Sequence, residues 1–274
     1  MNVTQITQQL FSNDVPTRLA ALAALAAQDA QHPLSPEICR GLLSCLGHSR
    51  KNVQRGAAAQ LVRFAGTQPE IVQALCTKLT DPDPRVRWTA AFTLSQIDLP
   101  DPVPLPVLVE NLGHEESDLR WAAATAVLRL ATQHPSVIVE LLRWARTGNA
   151  VQRRMALYCL RDLAQTGAEA IAVYRASLHD PDPMVRLGSL SCLGKLRVAA
   201  VESQEILLRM LEADPDLGVR RATAVTLGQL GNSTAQVVAA LTRATHSGDV
   251  GLRKAAVGAL GKLQSHDNWR RPSP

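Results

Sequence analysis

Apolar, small and polar residues recur along the chain with a period of 32 to 37 residues. Each period contains an apolar residue, an arginine, and then an amphipathic stretch rich in small residues. The recurring arginines are Arg18, Arg55, Arg87, Arg120, Arg153, Arg186, Arg220 and Arg253. A fixed period of this length is typical of helical repeats that stack, because one repeat cannot bury its apolar face alone.

The repeat around Arg87 predicts two helices joined by a short turn. Residues 69–79 begin with a proline and carry apolar side chains at helical spacing. The DPDP sequence at 81–84 ends this helix, since a residue that precedes proline is unfavourable in helical geometry. Asp83 is then placed to cap a second helix that runs from Pro84 to about Ile97. The repeat is therefore a helix pair.

The same pattern predicts an all-α fold, an α-α superhelix of eight helix pairs. The first helices are expected near residues 2–11, 37–46, 69–79, 104–112, 135–146, 168–178, 201–211 and 234–244. Residues 1–264 are expected to form a single solenoid, and residues 265–274 a mobile C-terminal tail.

The position four residues before the arginine indicates where each second helix begins. It is occupied by Asp14, Asp83, Glu116, Asp182, Asp216 and Asp249, and by Asn149 in a seventh repeat. Aspartate and asparagine are preferred at helix N-caps, because their side-chain oxygens accept hydrogen bonds from the first free backbone N–H groups. One helix start per repeat is therefore predicted.

Composition and charge narrow the class of protein. Hydrophobic residues make up 46% of the chain and aromatic residues only 3%, with a formal net charge of +5. The charge is compatible with anionic partners but weaker than a dedicated nucleic-acid binder usually carries. No secretory signal is recognised at the N-terminus, and the longest apolar stretch, residues 19–27, is too short to span a membrane. We expect a cytoplasmic monomer.

The sequence predicts no catalytic residues, metal site or cofactor. The motifs GxSxG, GxGxxG, HExxH and the Walker loop are absent, and the chain has a single His-Glu pair, His114-Glu115. The five cysteines are an odd number and none has CxxC spacing, so we expect free buried thiols. The protein is interpreted as non-catalytic.

Three segments, 79–97, 178–196 and 211–231, resemble HEAT repeats, most closely the subclass first associated with phycobilisome lyases. The resemblance covers nearly the whole chain. In that family an aspartate of the turn and the arginine of the second helix form a ladder of hydrogen bonds. The resemblance implies ladder pairs of Asp81 with Arg87, Asp180 with Arg186, and Asp214 with Arg220. In the other repeats the arginine is expected to reach backbone carbonyls.

The family resemblance also implies that the second helices line a concave surface. Positions one, five and nine after the arginine lie opposite the apolar stripe of the helix, at 100° per residue. They hold five aromatic residues in the second through fifth repeats, Phe64, Trp88, Phe92, Trp121 and Tyr158, and basic residues in the fourth through eighth repeats, Arg129, Arg154, Lys195, Arg221 and Lys254. These ten residues are the predicted partner-binding site. The alternative is that the aromatic residues fill gaps between repeats.

Three functions remain open from the sequence. A concave face with aromatic and basic residues predicts a scaffold or adaptor that binds a protein partner, for which an acidic segment with apolar anchors is the expected ligand. The resemblance to lyase repeats implies a subunit of a bilin lyase or a phycobiliprotein-handling factor, with a bilin as its ligand. Binding of nucleic acid through the basic residues is the third and least favoured hypothesis.

Overall fold

The protein is built from α-helices joined by short turns. The computed structural model describes residues 2–29, 32–98, 105–115, 117–197 and 201–270, and over these ranges it has sixteen helices and no strand. The predicted all-α fold of eight helix pairs is confirmed. Over the same ranges, none of the helices is long and apolar enough to cross a membrane. The chain divides into two compact units, Met1–Val137 and Ile138–Pro274.

The first unit contains four helix pairs. Its helices are α1 (Val3–Leu10), α2 (Val15–Ala26), α3 (Pro36–Cys45), α4 (Lys51–Ala65), α5 (Pro69–Lys78), α6 (Pro84–Leu94), α7 (Leu105–Asn111) and α8 (Ser117–Gln133). Each helix packs against its partner in the pair, and the second helices also stack on one another, α2 on α4 and α4 on α6. Leucine, isoleucine, valine and alanine side chains fill the core between these layers.

The second unit has the same arrangement. Its helices are α9 (Ser136–Thr147), which begins at the boundary between the units, α10 (Ala150–Asp162), α11 (Ala168–Ser177), α12 (Pro183–Leu196), α13 (Val201–Ala213), α14 (Leu217–Leu230), α15 (Ala235–Ala244) and α16 (Val250–Arg270). The helices α10, α12, α14 and α16 stack in that order. The contact between α14 and α16 is close because Gly228 has no Cβ, which would lie 2.7 Å from the Ala259 Cα.

The predicted N-caps are present at the starts of the second helices. Asp14, Asn149 and Asp216 each accept a hydrogen bond from the backbone N–H three residues later. Asp83 and Asp182 accept from the N–H two residues later, at 2.8 and 2.7 Å. Glu116 lies outside the described residues. These caps explain why α2, α6, α10, α12 and α14 begin a fixed number of residues before their arginines, whereas α4 begins after Arg50 without a side-chain cap.

The recurring arginines bind the turn that precedes their own helix. Five of them donate to the backbone carbonyl six residues earlier, namely Arg18 to Ser12, Arg87 to Asp81, Arg120 to His114, Arg186 to Asp180 and Arg253 to Ser247. Inside a repeat the arginine thus contacts the main chain, whichever side chain the turn carries. A contact between the arginine and a backbone carbonyl was expected for the repeats whose turn has no aspartate, and Arg18, Arg120 and Arg253 make it there.

The carboxylates of the ladder aspartates bind arginines other than the predicted ones. Asp180 binds Arg153 and Asp214 binds Arg186, each through two hydrogen bonds of 2.7–2.9 Å that join successive repeats. Arg220, predicted to pair with Asp214, donates instead to the Leu211 carbonyl at 3.0 Å.

The third turn aspartate, Asp81, forms its ion pair with Lys78 at 2.9 Å. The Arg87 side chain binds the Asp81 and Pro82 carbonyls and the Glu110 carboxylate, but not the Asp81 carboxylate. Among the described ladder arginines, a full rung, meaning a two-bond pair between an arginine and the turn aspartate of the next repeat, is formed by Arg153 with Asp180 and by Arg186 with Asp214. Of the implied ladder pairs, Arg87 and Arg186 bind Asp81 and Asp180 through the backbone carbonyl and not through the carboxylate, and the pair of Asp214 with Arg220 is wrong.

In the second repeat, Gln54 occupies the place that arginine has elsewhere. Its Nε2 donates to the His48 carbonyl, six residues earlier, at 2.6 Å. Val53 before it is fully buried, as Val185 is before Arg186. Arg55 is therefore one position after the structural equivalent of Arg87, and its side chain is exposed.

The last helix extends beyond the predicted start of the tail. α16 continues to Arg270, whereas the tail was expected from Ser265. No proline or glycine interrupts residues 265–270, so nothing in that stretch stops the helix. Residues 271–274 lie outside the described residues.

Candidate functional site

The second helices α4, α6 and α8 of the first unit line a cleft of about 810 Å³. They come from three successive repeats, and the side of each helix that faces the cleft is opposite to its core-facing stripe. Small residues of α4, Ala58, Ala59 and Val62, leave room along one side of the cleft. Its volume lies within the range usual for ligand-binding pockets, about 300–1,000 Å³.

Aromatic side chains from α6 and α8 line this cleft. Trp88 and Phe92, one helical turn apart, meet edge to face with 5.1 Å between ring centroids and 71° between ring planes. Trp121 of α8 lines the same cleft and is 51% exposed. Most large apolar side chains of this unit are buried in its core, so these rings make the cleft an unusually apolar part of the surface. Three predicted site residues are thus brought together.

Three basic residues, Lys51, Arg55 and Arg85, also line the cleft. Lys51 and Arg55 lie one turn apart on α4, and Arg85 is at the start of α6. None of the three was predicted from the sequence. Arg55 is one of the recurring arginines, and Lys51 and Arg85 precede the positions one, five and nine, which are counted forward from those arginines. A signal was present, because aligning Val53 with Val86 places Arg55 at the position of Trp88.

Phe64 does not belong to the surface of the cleft. Its side chain is fully buried in the core of the first unit. Counted from Gln54 it is ten residues on, equivalent to the buried Leu130, rather than nine residues on. A shift of one residue rotates a side chain by about 100° around the helix, from the exposed face to the core. The predicted exposure of Phe64 is therefore wrong.

Arg129 makes contacts with the neighbouring repeat. It donates from Nη1 to the Gln96 side-chain oxygen at 2.9 Å and from Nη2 to the Gln96 carbonyl at 3.4 Å. Arg63, at the equivalent position of α4, likewise donates to the Leu25 and Ala26 carbonyls at the end of α2. These arginines bind the C-terminal ends of the preceding second helices. Contact of Arg129 with a partner stays a prediction.

In the second unit, Tyr158 and Lys195 both lie next to the ion pair of Arg161 with Asp162. The Arg161 guanidinium is stacked 4.8 Å from the centre of the Tyr158 ring, and it binds Asp162 at 3.0 Å. Lys195 binds the same Asp162 at 3.0 Å. Partial burial acts to raise the pKa of Asp162, but the hydrogen bonds from the two cations outweigh it and the pKa is lowered. The ammonium group of Lys195 is therefore partly neutralised.

The remaining basic residues predicted for the site also belong to the second unit. Arg221 forms a two-bond ion pair with Asp249, which holds the pKa of that carboxyl down at about 2. Arg154 is half-buried, and its Nε has no hydrogen-bond partner in the described part of the chain. Lys254 is exposed. Whether these residues contact a partner stays a prediction.

No constellation for metal or thiol chemistry is found among the described side chains. None of them forms a group of three or more His, Cys, Asp or Glu that could hold a metal ion. All five cysteines are free thiols. Burial raises the pKa of both Cys159 and Cys192 to about 12, so these thiols remain protonated and unreactive at neutral pH.

Comparison with protein families identifies the repeat. A family model described as HEAT repeats matches residues 39–129, 137–227 and 205–268. A search of curated protein sequences finds no significant match.

Solved structures with the same architecture include karyopherins. The structure of Kap121p bound to Pho4p superposes with a TM-score of 0.69 at 14% identity, over 94% of this chain and 33% of Kap121p. Kap121p bound to the extreme C-terminus of the protein phosphatase Cdc14p gives a TM-score of 0.67 at 13% identity, over 96% of this chain and 34% of Kap121p. The chain thus spans about one third of Kap121p. At this identity the likeness shows the fold alone.

Proposed function

Because this chain belongs to the HEAT-repeat family, we propose that it is a non-catalytic scaffold or adaptor that binds a segment of a protein partner. The binding site is the cleft lined by α4, α6 and α8. The observation that carries the proposal is the group of three aromatic side chains, Trp88, Phe92 and Trp121, that line this cleft.

The arrangement has the features of a recognition surface. Tryptophan and arginine are the residues whose truncation most often weakens protein–protein binding, and they act best in concave sites that exclude water. Trp121 presents about half of its surface to solvent in a site where a bound apolar side chain would cover it. Burial of apolar surface on binding stabilises a complex by roughly 25 cal/mol per Å² before the entropic costs of association.

The related structures support a scaffold of this kind. Kap121p, which shares the fold, is described in complex with Pho4p and with the extreme C-terminus of Cdc14p. A stacked-helix array therefore offers surfaces on which other proteins bind. The basic residues of the cleft in this chain, Lys51, Arg55 and Arg85, favour a partner segment that carries acidic side chains next to its apolar anchors.

The test is affinity capture of partners from an extract of the native host. Wild-type protein is compared with the variant Trp88→Ala/Trp121→Ala and with Phe11→Ala. Phe11 is a suitable control because it is 50% exposed in the same unit but does not line the cleft. We expect the double variant to lose partners that both other proteins retain. Retention of every partner by the double variant contradicts the site.

A second candidate function is handling of a bilin, as a lyase subunit or a phycobiliprotein-handling factor. It is favoured by the presence of aromatic rings and cations in the same cleft, since a tetrapyrrole combines a flat apolar surface with propionate groups. The measurement is visible absorbance of the purified protein after incubation with a bilin. Bound chromophore that Trp121→Ala fails to retain supports this function, and a colourless protein contradicts it.

Nucleic-acid binding through the second unit has less support. Two of its predicted basic residues, Lys195 and Arg221, already bind carboxylates of the same unit. Affinity for an oligonucleotide that falls steeply with salt concentration is the result this function requires.

A further inference from the structure

One face of α16 corresponds to a face of α14 that is covered by the next repeat. Counted from the recurring arginines, Ala224 of α14 is equivalent to Val257 of α16. Ala224 is fully buried and lies one turn from Gly228, which α16 approaches closely, whereas Val257 is 60% exposed. The outer face of a repeat that stays in water is usually polar. The exposed valine therefore indicates a further contact on this face.

A recurring glycine marks the same face. Gly194 of α12, Gly228 of α14 and Gly261 of α16 each lie eight residues after the arginine. A Cβ on Gly194 would meet the Gln229 side chain of α14, and a Cβ on Gly228 would lie 2.7 Å from the Ala259 Cα of α16. No atom of another described helix lies within 4 Å of the place where a Cβ on Gly261 would be. The glycine that admits the next helix in two repeats is thus exposed in α16.

The charge on this face follows the same repeat. Arg221 of α14 donates two hydrogen bonds, of 2.8 and 2.5 Å, to Asp249, which also caps α16. Lys254 occupies the position of Arg221 in α16 and is exposed. Among the described residues, Lys254 forms no ion pair. A helix with an acidic N-cap would supply the counter-ion that Asp249 supplies to Arg221.

The complementary face is exposed on α2. Ala259, six residues after its arginine, is the α16 residue that meets α14. The residue at this position, counted from Gln54 in the second repeat, is buried in the second helix of every pair from α4 to α16. In α2 it is Ala24, which is only half-buried, and Ala20 one turn before it is exposed. The small residues that would contact a preceding repeat are therefore accessible on α2.

We propose that copies of this chain associate with one another, with α16 of one copy packed on α2 of the next. Val257 then faces Ala20 and Ala24, whose small side chains leave room for it. Gly261 admits α2 as Gly228 admits α16. The contact does not involve the cleft of the first unit and is independent of the function proposed above. The sequence led us to expect a monomer, and this inference revises that expectation.

Charge complementarity favours a second copy as the occupant. Asp14 caps α2, is exposed, and has the place in its repeat that Asp249 has before α16. Its Oδ2 accepts the cap hydrogen bond, so its Oδ1 can face Lys254 of the other copy. Both halves of the contact between α14 and α16 are thus present and exposed on one chain. Because the two faces differ, the contact is heterologous and either closes a ring or extends into a filament.

The experiment is sedimentation velocity of the full-length protein at micromolar to millimolar concentration. We expect species larger than one chain, whose fraction rises with concentration. Val257→Glu and Ala20→Glu each place a charge on one of the two faces, and both residues are exposed, so the core is undisturbed. Each variant is expected to be monomeric. Val139→Glu is the matched control, because Val139 is a 61% exposed valine on α9, and it should assemble like the wild type.

A mixture of the two variants tests which faces meet. Each variant keeps one intact face, so an equimolar mixture is expected to form a complex of two chains and nothing larger. A symmetric contact through α16 alone would leave Ala20→Glu assembled. That result, or a mixture that stays monomeric, overturns the pairing of α16 with α2.

The ion pair is tested separately at low salt. Lys254→Gln is expected to weaken assembly by up to about fivefold, the contribution of one exposed ion pair. Lys254→Arg copies Arg221 and should retain or strengthen assembly, because arginine can bind a carboxylate through two hydrogen bonds. Equal weakening by both variants contradicts the contact with Asp14.

The behaviour of the wild type decides the inference as a whole. A wild-type protein that is monomeric at every concentration overturns it, as does assembly that Val257→Glu and Ala20→Glu both retain. Either result leaves the proposed function standing, since partner binding in the cleft is measured independently by capture.

Discussion

Arg186 of α12 and Asp214, in the turn before α14, form a two-bond ion pair that links successive repeats of the second unit. The Nε and Nη2 groups donate to the two carboxylate oxygens at 2.9 and 2.8 Å. Both side chains are nearly buried, with 10% and 6% of their surfaces exposed. The same guanidinium also binds the Asp180 carbonyl of its own turn. One arginine therefore holds two turns in a fixed relation.

Removal of one partner from this pair should be costly. We expect Asp214→Asn to lower the free energy of unfolding by about 3 kcal/mol, because it leaves the Arg186 charge buried without its counter-ion. Asparagine keeps an oxygen that can accept the Asp216 N–H, so the turn itself is retained. Equilibrium urea unfolding of wild type and variant measures the difference. A loss below about 1 kcal/mol would contradict a structural role for the pair.

The exposed pair between Arg221 and Asp249 provides a comparison. Arg221 is 44% exposed, so water screens its interaction with the carboxylate. Arg221→Gln is therefore expected to change the free energy of unfolding much less than Asp214→Asn does, as measured by the same urea unfolding. A larger effect than that of Asp214→Asn would mean that burial does not decide the strength of these contacts.

The second repeat offers a gain-of-stability test. Gln54 lies where the ladder arginine would be, and Asp81 in the next turn has the position of Asp214. Gln54→Arg is expected to form a new rung with Asp81 and so to raise the melting temperature slightly. Thermal unfolding followed by circular dichroism measures it. A lower melting temperature would show that the second repeat does not share the register inferred from the His48 contact.

Phe64 and Trp121 should respond in opposite ways to truncation. Phe64→Ala removes a fully buried ring from the core of the first unit and should cost about 3–5 kcal/mol of stability. Trp121→Ala removes a ring that is 51% exposed and should cost about 1 kcal/mol or less. Urea unfolding compares the two. Equal losses would place Trp121 in the packing between repeats rather than on a binding surface.

The pair of Arg221 with Asp249 makes stability depend on pH in a defined direction. Hydrogen bonds from Arg221 and from the Leu252 N–H lower the pKa of Asp249 from 3.8 to about 2 in the folded state. Because the folded pKa is the lower one, the contribution is fully present above pH 3.8 and is lost as the pH falls towards 2. Asp249→Asn should therefore differ from wild type in urea midpoint at pH 6 and converge with it near pH 2. A constant difference contradicts this assignment.

The sequence predicted the fold well because the fold depends on periodic local signals. Capping aspartates or first-turn prolines mark several helix starts, among them those of α2, α5 and α12. The first helices fall within about two residues of their expected bounds. The contacts between repeats were harder to predict. The family resemblance implied a pair of Asp180 with Arg186, yet the Asp180 carboxylate binds Arg153, which is distant in sequence and close only after the repeats stack.

The site was predicted only in part, because one residue, Arg55, was aligned incorrectly with the arginines of the other repeats. Counting from Arg55 instead of Gln54 shifted the second repeat by one position. That shift placed Phe64 on the surface and concealed Arg55 as a residue of the cleft. Arginine was the wrong marker in this repeat, because glutamine makes the same contact with the carbonyl of the turn. The buried Val53 before Gln54 is the better marker in this repeat, since burial is what the stacking requires.

The central claim, that the cleft of the first unit binds a protein segment, is tested most directly by site-specific photocrosslinking to a partner identified by capture. A photoreactive phenylalanine derivative replaces Ala59, which is exposed and lines the cleft, or Val139, which is 61% exposed on α9 and outside it. We predict crosslinks from position 59 to one apolar segment of the partner and none from position 139. Crosslinks from position 139 alone, with the partner still bound, would contradict the claim.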